Sequence, residues 1–154
     1  MTVVGIAGLK TSLPRGKRLL GLDVGTKTIG LAIADPRQSI ATPLDTIRRK
    51  RFTDDMAALA RIVAERDIGG LVVGLPVSMD GSEGPRCQSV RQFAANVLEK
   101  LDIAIAFWDE RLSTAAVTRM MIDEADLSRR RRGEVVDKLA AAYILQGALD
   151  YTGS

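Results

Sequence analysis

Histidine is absent from this sequence of 154 residues, and cysteine occurs once, at Cys87. These absences exclude zinc sites built on histidine or on several cysteines, and they exclude acid–base catalysis by histidine. They also exclude a disulfide within the chain, which favours a cytoplasmic location. A thiol nucleophile at Cys87 is disfavoured because no histidine could activate it. Any bound metal should therefore be a hard cation with oxygen ligands, such as Mg²⁺, Mn²⁺ or Ca²⁺.

Aromatic residues and long apolar runs are also scarce. Aromatics make up only 4% of the chain, which argues against a sheet surface that stacks bases. No apolar run approaches the roughly 20 residues of a membrane span. The short apolar start lacks a preceding basic segment, so we expect neither a signal peptide nor membrane association. The length and the 46% hydrophobic content fit one globular domain with a sizeable core.

Charge is present in quantity but is unevenly distributed. Residues 1–52 carry ten lysines and arginines against three acids, whereas residues 53–127 carry seven against thirteen. Residues 128–154 again have a basic excess, of five against three. Basic ends around an acidic middle suit a protein that binds a polyanion beside an acidic metal site.

Three glycines and a proline predict an irregular extension at residues 1–16, and the pattern of apolar residues predicts a single domain at residues 17–154. Short apolar runs predict strands and amphipathic stripes predict helices. The predicted strands cover residues 18–23, 28–35, 39–47, 71–75 and 103–107, and the predicted helices cover about 14 residues from Phe52, then residues 90–101, 113–124 and 134–150. Pro43 indicates that the third strand lies near an edge. This order predicts an α/β fold, a mixed five-stranded sheet with helices on both faces.

Three acidic positions could together hold a metal ion. Asp23 ends the first strand, and the pair Asp109-Glu110 ends the fifth. Asp137 lies in the first turn of the predicted last helix, at the rim of its apolar stripe. The carboxyl ends of parallel strands meet at one crevice, where ligands bind. Since adjacent strand residues point to opposite faces, we expect only one of Asp109 and Glu110 to enter the site.

Four segments of the sequence together resemble one family. They are LDVGTKTIGLA from Leu22, GLPVSMDGSEGPR from Gly74, DERLST from Asp109 and VDKLAA from Val136. In order and spacing they resemble the YqgF family, also called RuvX, over roughly residues 18–150. The resemblance implies a ribonuclease-H-like fold and a bacterial cytoplasmic nuclease. Members are described as nucleases that mature the 5′ end of pre-16S rRNA in ribosome biogenesis, or as Holliday junction resolvases of DNA recombination and repair.

The resemblance also implies a set of site residues. Asp23, Glu110 and Asp137 would be the catalytic, metal-binding acids of a hydrolase that uses Mg²⁺ or Mn²⁺, with Asp109 as a possible further ligand. Two such ions could activate water, orient the phosphate and stabilise the leaving oxygen.

Basic and polar residues around these acids are candidates for substrate binding. Lys27 and Thr28 follow Asp23, and the glycine-rich loop before Pro85 could bind phosphate through its backbone N–H groups. A basic loop at residues 129–132 should add affinity rather than sequence recognition. The candidates are Lys27, Thr28, Arg86, Arg91, Arg111, Arg129 and Arg130. A hairpin tip at Lys27, a structural ion pair at Arg111 and a solvated loop at residues 129–132 are the alternatives.

The sequence leaves three functional alternatives open. DVGTKT also resembles the phosphate loop of sugar and acetate kinases, but those enzymes need two such domains to enclose ATP. A non-catalytic nucleic-acid-binding module is a second alternative, which the three candidate acids argue against. The expected function is 5′-end processing of pre-16S rRNA, so the expected partner is a structured RNA precursor, and branched DNA is the alternative that the sequence does not exclude. We expect a monomer or a weak homodimer.

Overall fold

The computed structural model describes residues 3–112 and 129–151, and it describes the side chains of the last helix from residue 136. In this part of the chain the strands form one mixed sheet in the order β3-β2-β1-β4-β5. They are β1 (Arg18–Val24), β2 (Thr28–Ala34), β3 (Ala41–Arg48), β4 (Ile68–Leu75) and β5 (Ala104–Asp109). Strands β1, β4 and β5 run parallel, and β2 and β3 form an antiparallel meander that ends with β3 at the edge. The predicted mixed five-stranded sheet is confirmed.

Helices cover both faces of this sheet, as predicted. They are α1 (Ile6–Ser12), α2 (Phe52–Glu65), α3 (Pro85–Lys100) and α4 (Arg129–Asp150), and a short 3-10 helix (Glu110–Leu112) follows β5. Helices α2 and α3 share one hydrophobic core with the sheet, whereas α1 and α4 share another. None of the described helices is both long and apolar enough to cross a membrane.

Strand alternation divides the residues of β1 between the two cores. Leu20 and Leu22 pack into the core with α2 and α3, whereas Leu19 packs into the core with α4. Successive strand residues point to opposite faces, so Gly21 and Asp23 share the α4 face with Leu19. The sheet therefore presents an acid to α4 at the carboxyl end of its central strand.

Helix α4 approaches the sheet closely because glycines lie beneath it. A Cβ atom at Gly30 of β2 would lie only 2.0 Å from the carbonyl oxygen of Asp137. A Cβ atom at Gly21 of β1 would lie 3.0 Å from the carbonyl oxygen of Ala141. Any larger residue at Gly30 would push the helix outward, since real Cβ atoms do not come this close to backbone atoms. These contacts set the height of Asp137 above the strands.

The prediction of an irregular extension at residues 1–16 was wrong. Residues 6–12 form α1, and its Ile6 and Leu9 are buried in the core shared with α4. The backbone N–H of Val4 donates to the carbonyl oxygen of Ile105 at 2.8 Å, which ties the segment to β5. Lys10 donates through Nζ to three carbonyl oxygens at the end of α4. Tertiary packing thus gives structure to a segment whose glycines and proline predicted none.

Two boundaries also differ from prediction, and one predicted helix is untested. The residues 129–132 predicted as a basic loop form the first turn of α4. Strand β4 begins at Ile68, three residues before its predicted start at Leu71, and Gly70 within it pairs with Ala104. The predicted helix at residues 113–124 lies outside the described residues.

Candidate active site

A cleft of about 480 Å³ lies at the carboxyl end of β1, where Val136 and Asp137 of α4 line it. Its lining combines acids, a turn between two strands, and one arginine. The residues that line it are Asp23, Gly25, Thr26, Lys27, Thr28, Pro76, Arg86, Glu110, Val136 and Asp137. The cleft is thus at the crevice beyond the strand ends where α/β sheets bind ligands.

The three acids predicted as metal ligands all line this cleft, and each comes from a different element. Asp23 is the next-to-last residue of β1 and is only 8% exposed. Glu110 directly follows β5, and Asp137 is carried by α4. A carboxylate as buried as Asp23 is costly unless it is hydrogen-bonded, paired or metal-bound.

Gly74 of β4 makes room between the acids of β1 and β5. Strand β4 lies between those two strands, and Gly74 pairs with Trp108. A Cβ atom at Gly74 would lie 3.2 Å from Cγ of Glu110 and 2.5 Å from Cδ1 of Ile144. The missing side chain therefore lets Glu110 lie over β4, on the sheet face that α4 covers.

The adjacent acids Asp109 and Glu110 have different surroundings. Asp109 accepts hydrogen bonds from Nε and Nη2 of Arg111, with Nη2 at 2.6 Å from Oδ2. These bonds to Arg111 hold the pKa of the Asp109 carboxyl below its usual range. Asp109 does not line the cleft, whereas Glu110 does. The expectation that only one of the two acids enters the cleft agrees with this geometry, and that acid is Glu110.

The turn between β1 and β2 supplies the polar residues beside the acids. The Thr28 hydroxyl donates to Oδ2 of Asp137, joining β2 to α4 across the cleft. Lys27 is exposed at the tip of the turn and lines the cleft. Arg86, in the first turn of α3, also lines the cleft and donates to the carbonyl oxygen of Val24 at 2.9 Å. These three predicted substrate contacts therefore do lie at the cleft.

The other predicted substrate arginines are in different positions. Arg91 makes two hydrogen bonds to Glu83, at 2.7 and 2.8 Å, and lies over the ring of Phe107. Arg111 pairs with Asp109, which is the structural ion pair left open as the alternative. Neither arginine lines the cleft. The side chains of Arg129 and Arg130 lie outside the described residues.

Sequence reasoning missed Arg49, which holds the turn in place. Its Nη1 donates to the carbonyl oxygen of Gly25 at 2.7 Å, and its backbone N–H donates to the carbonyl oxygen of Lys27 at 2.9 Å. Its guanidinium lies over the ring of Phe93 and 3.8 Å from the buried carboxylate of Asp55. No local pattern connects Arg49 with a turn more than twenty residues earlier. Only the pairing of β2 with β3 brings them together.

The donor set of the cleft fits a hard divalent cation. It consists of carboxylate and hydroxyl oxygens, the ligands that Mg²⁺ and Mn²⁺ prefer. Within residues 3–112 and 129–151, however, no three acidic or thiol groups are close enough to share one ion. The three carboxylates line the cleft without meeting at one point, so coordination requires their side chains to turn inward.

The thiol of Cys87 is not part of this chemistry. It is fully buried at the start of α3, and burial raises the pKa of the thiol. A thiol with a raised pKa is a poor nucleophile, because the thiolate is the reactive form.

Comparison with known proteins agrees with this architecture. Residues 17–151 match the model of the RuvX family, which is described as Holliday junction resolvase. The chain belongs to the RuvX family. Curated members include a protein from Paramagnetospirillum magneticum, 63% identical over 97% of this chain and 96% of its own length, and one from Rhodospirillum centenum, 60% identical over 97% and 82%. Both are named "putative pre-16S rRNA nuclease".

Solved structures confirm the predicted fold class. RuvC of T. thermophilus, solved in complex with a Holliday junction substrate, has a TM-score of 0.52 against this chain. The match covers 83% of this chain and 91% of that one, at 12% sequence identity. At this identity the likeness establishes the ribonuclease-H-like fold alone.

Proposed function

We propose that this protein is a metal-dependent nuclease that hydrolyses phosphodiester bonds in the 5′-end processing of pre-16S rRNA. The observation that carries the proposal is that Asp23, Glu110 and Asp137, from three separate elements, all line one cleft. Such a role belongs in the cytoplasm, where the sequence predicts the protein to be.

The oxygens of these acids would hold Mg²⁺ or Mn²⁺. When bound, a pair of such ions supplies an activated water and stabilises the leaving oxygen of an in-line displacement. The chain's own residues position the substrate. Lys27 and Arg86 both line the cleft and can contact phosphate oxygens through charge-assisted hydrogen bonds. Thr28 orients Asp137 through its hydroxyl.

The choice of RNA rests on the curated relatives, which align over nearly the whole chain and are named for pre-16S rRNA. A second candidate substrate is the four-way DNA junction, which the description of the family model favours. Symmetric cleavage of a junction needs two active sites, so this function would require a dimer. A non-catalytic nucleic-acid-binding module is a third and weaker candidate, because such a module does not need three acids at one cleft.

Side-by-side cleavage assays distinguish these candidates. The protein is incubated with a 5′-labelled precursor rRNA fragment and with a labelled four-way DNA junction, each in Mg²⁺ and in Mn²⁺. We expect cleavage of the precursor near the mature 5′ end and its loss in EDTA. Symmetric cuts in the junction, with the precursor left intact, would favour the second candidate. Absence of cleavage in both substrates would favour the binding module.

A further inference from the structure

Basic residues extend from the cleft to the edge of the sheet. They are Lys27 of the β1–β2 turn, Arg48 at the end of β3, and Lys50 and Arg51 before α2, and all four are exposed. We name this set the basic rim. Of these four residues, only Lys27 was among the substrate contacts predicted from the sequence.

Strand pairing places the rim directly beside the acids. Arg48 pairs with Thr28, the residue that binds Asp137. Directly paired residues of an antiparallel ladder present their side chains on the same face, with Cβ atoms about 4.5–5.5 Å apart. Arg48 therefore shares the sheet face of Asp23 and Asp137.

Within residues 48–51, Arg49 faces inward and has a structural role. Arg49 has a side chain only 26% exposed and is bound to the turn and to Asp55. Arg51, by contrast, has a side chain 85% exposed. Its partner Asp54 is an exposed acid at 3.3 Å, a kind of pair that water and salt weaken strongly. The run of residues 48–51 thus has one structural cation, Arg49, with exposed basic residues on both sides.

We propose that the basic rim binds the sugar-phosphate backbone of the nucleic-acid substrate as it leaves the cleft on the β2–β3 side. Residues 48–51 span at most roughly 10 Å of extended chain, which is the axial rise of about three nucleotides of one duplex strand. Contacts of this kind hold the substrate in register without reading its bases. The inference rests on the proposed function, because it assumes that the scissile phosphate occupies the cleft.

The test is a binding titration of the full-length protein in EDTA, which requires no catalysis. A short labelled RNA duplex with a single-stranded 5′ extension is titrated by fluorescence anisotropy at salt concentrations of about 50 to 200 mM. The variant Arg48→Ala/Lys50→Ala/Arg51→Ala removes three rim charges. A matched control, Arg15→Ala/Lys17→Ala/Arg66→Ala, removes three exposed charges at the opposite end of the sheet, roughly 20 Å away along β1.

Loss of three phosphate contacts should reduce the slope of log Kd against log salt by roughly 2 to 3. We expect this reduction in the rim variant alone, and we expect Arg48→Lys/Arg51→Lys to keep the wild-type slope because charge is retained. Circular dichroism melting of both triple variants excludes misfolding as the cause.

An equal change in the control variant, an unchanged slope in the rim variant, or no binding by the wild type would overturn the proposal. Failure of the nuclease function would look different. In that case the wild type would bind the RNA with an unreduced slope of log Kd against log salt, yet it would cleave neither substrate. The basic rim would then remain a binding surface only if the rim variant still showed a smaller slope than the wild type.

Discussion

Gly30→Ala tests whether α4 lies as close to the sheet as the structure shows. The added methyl group would lie 2.0 Å from the carbonyl oxygen of Asp137 and 2.4 Å from its carbonyl carbon. Carbon and oxygen atoms normally stay about 3.3 Å or more apart, so the helix must retreat by roughly 1 Å. Both atoms belong to the backbone of α4, so no side-chain rotation can relieve the clash.

The expected consequences concern both stability and activity. Overpacking of a core costs about 1–3 kcal/mol, which corresponds to a fall in Tm of roughly 2 to 12 °C for a chain of this size. Displacement of a catalytic group by about 1 Å can cost on the order of a hundredfold in rate. Because Asp137 moves with the helix, we expect a loss of cleavage rate at temperatures well below the lowered Tm.

A matched control separates crowding from the mere addition of a methyl group. Gly8 of α1 has open space where its Cβ would lie. Gly8→Ala should therefore keep the wild-type cleavage rate and, as a helical glycine-to-alanine change, keep or slightly raise Tm. Gly30→Ala with the Tm and cleavage rate of wild type would refute the close packing of α4 and with it the inferred placement of Asp137.

Three further predictions address the adjacent acids, the N-terminal helix and acid stability. Glu110→Gln should lose metal-dependent cleavage across a Mn²⁺ titration while Asp109→Asn keeps a measurable fraction, and the reverse pattern would show that the roles are exchanged. Lys10→Met should lower the free energy of unfolding in urea by about 1–2 kcal/mol, because three carbonyl oxygens at the end of α4 lose a charged donor; an unchanged midpoint would contradict this. Backbone N–H groups of Ile40 and Ser39 lower the pKa of Asp35 to about 2. The stabilisation from Asp35 should thus be complete above pH 4 and disappear towards pH 2, so wild type and Asp35→Asn should differ in urea midpoint at pH 6 and converge at pH 2.

Much of the sheet could be predicted because its signals are local. Apolar runs and turns located the strands, and the apolar stripe of the last helix located Asp137 at its rim. The glycines of the sheet that lie beneath this helix could not be identified from the sequence. Periodicity identifies the buried face of a helix but not the strand against which it packs. Helix α1 was missed for a related reason. Its burial depends on contacts of Ile6 and Leu9 with distant strands, and its glycines predicted a loop.

In the candidate site, too, positions set by local signals could be predicted, whereas contacts set by tertiary structure could not. The positions of Asp23 and Glu110 at strand ends could be read from the sequence, and the family resemblance indicated which of the two adjacent acids to choose. The engagement of Arg91 with Glu83 and of Arg49 with the β1–β2 turn depends on loop conformation and strand register. Many partners were equally available to those arginines in the sequence, so composition alone could not distinguish a substrate contact from a structural one.

Single-turnover cleavage by Asp23→Asn tests whether the buried acid at the end of β1 is required for phosphodiester hydrolysis. The substitution keeps the size of a buried side chain and removes a charge that a metal ion would need, so folding and nucleic-acid affinity should be retained. Asp67→Asn, at an exposed acid far from the cleft, is the matched control. We expect Asp23→Asn to bind the precursor rRNA as the wild type does but to cleave it several orders of magnitude more slowly, and we expect Asp67→Asn to be unaffected. Cleavage by Asp23→Asn at near the wild-type rate would contradict this expectation.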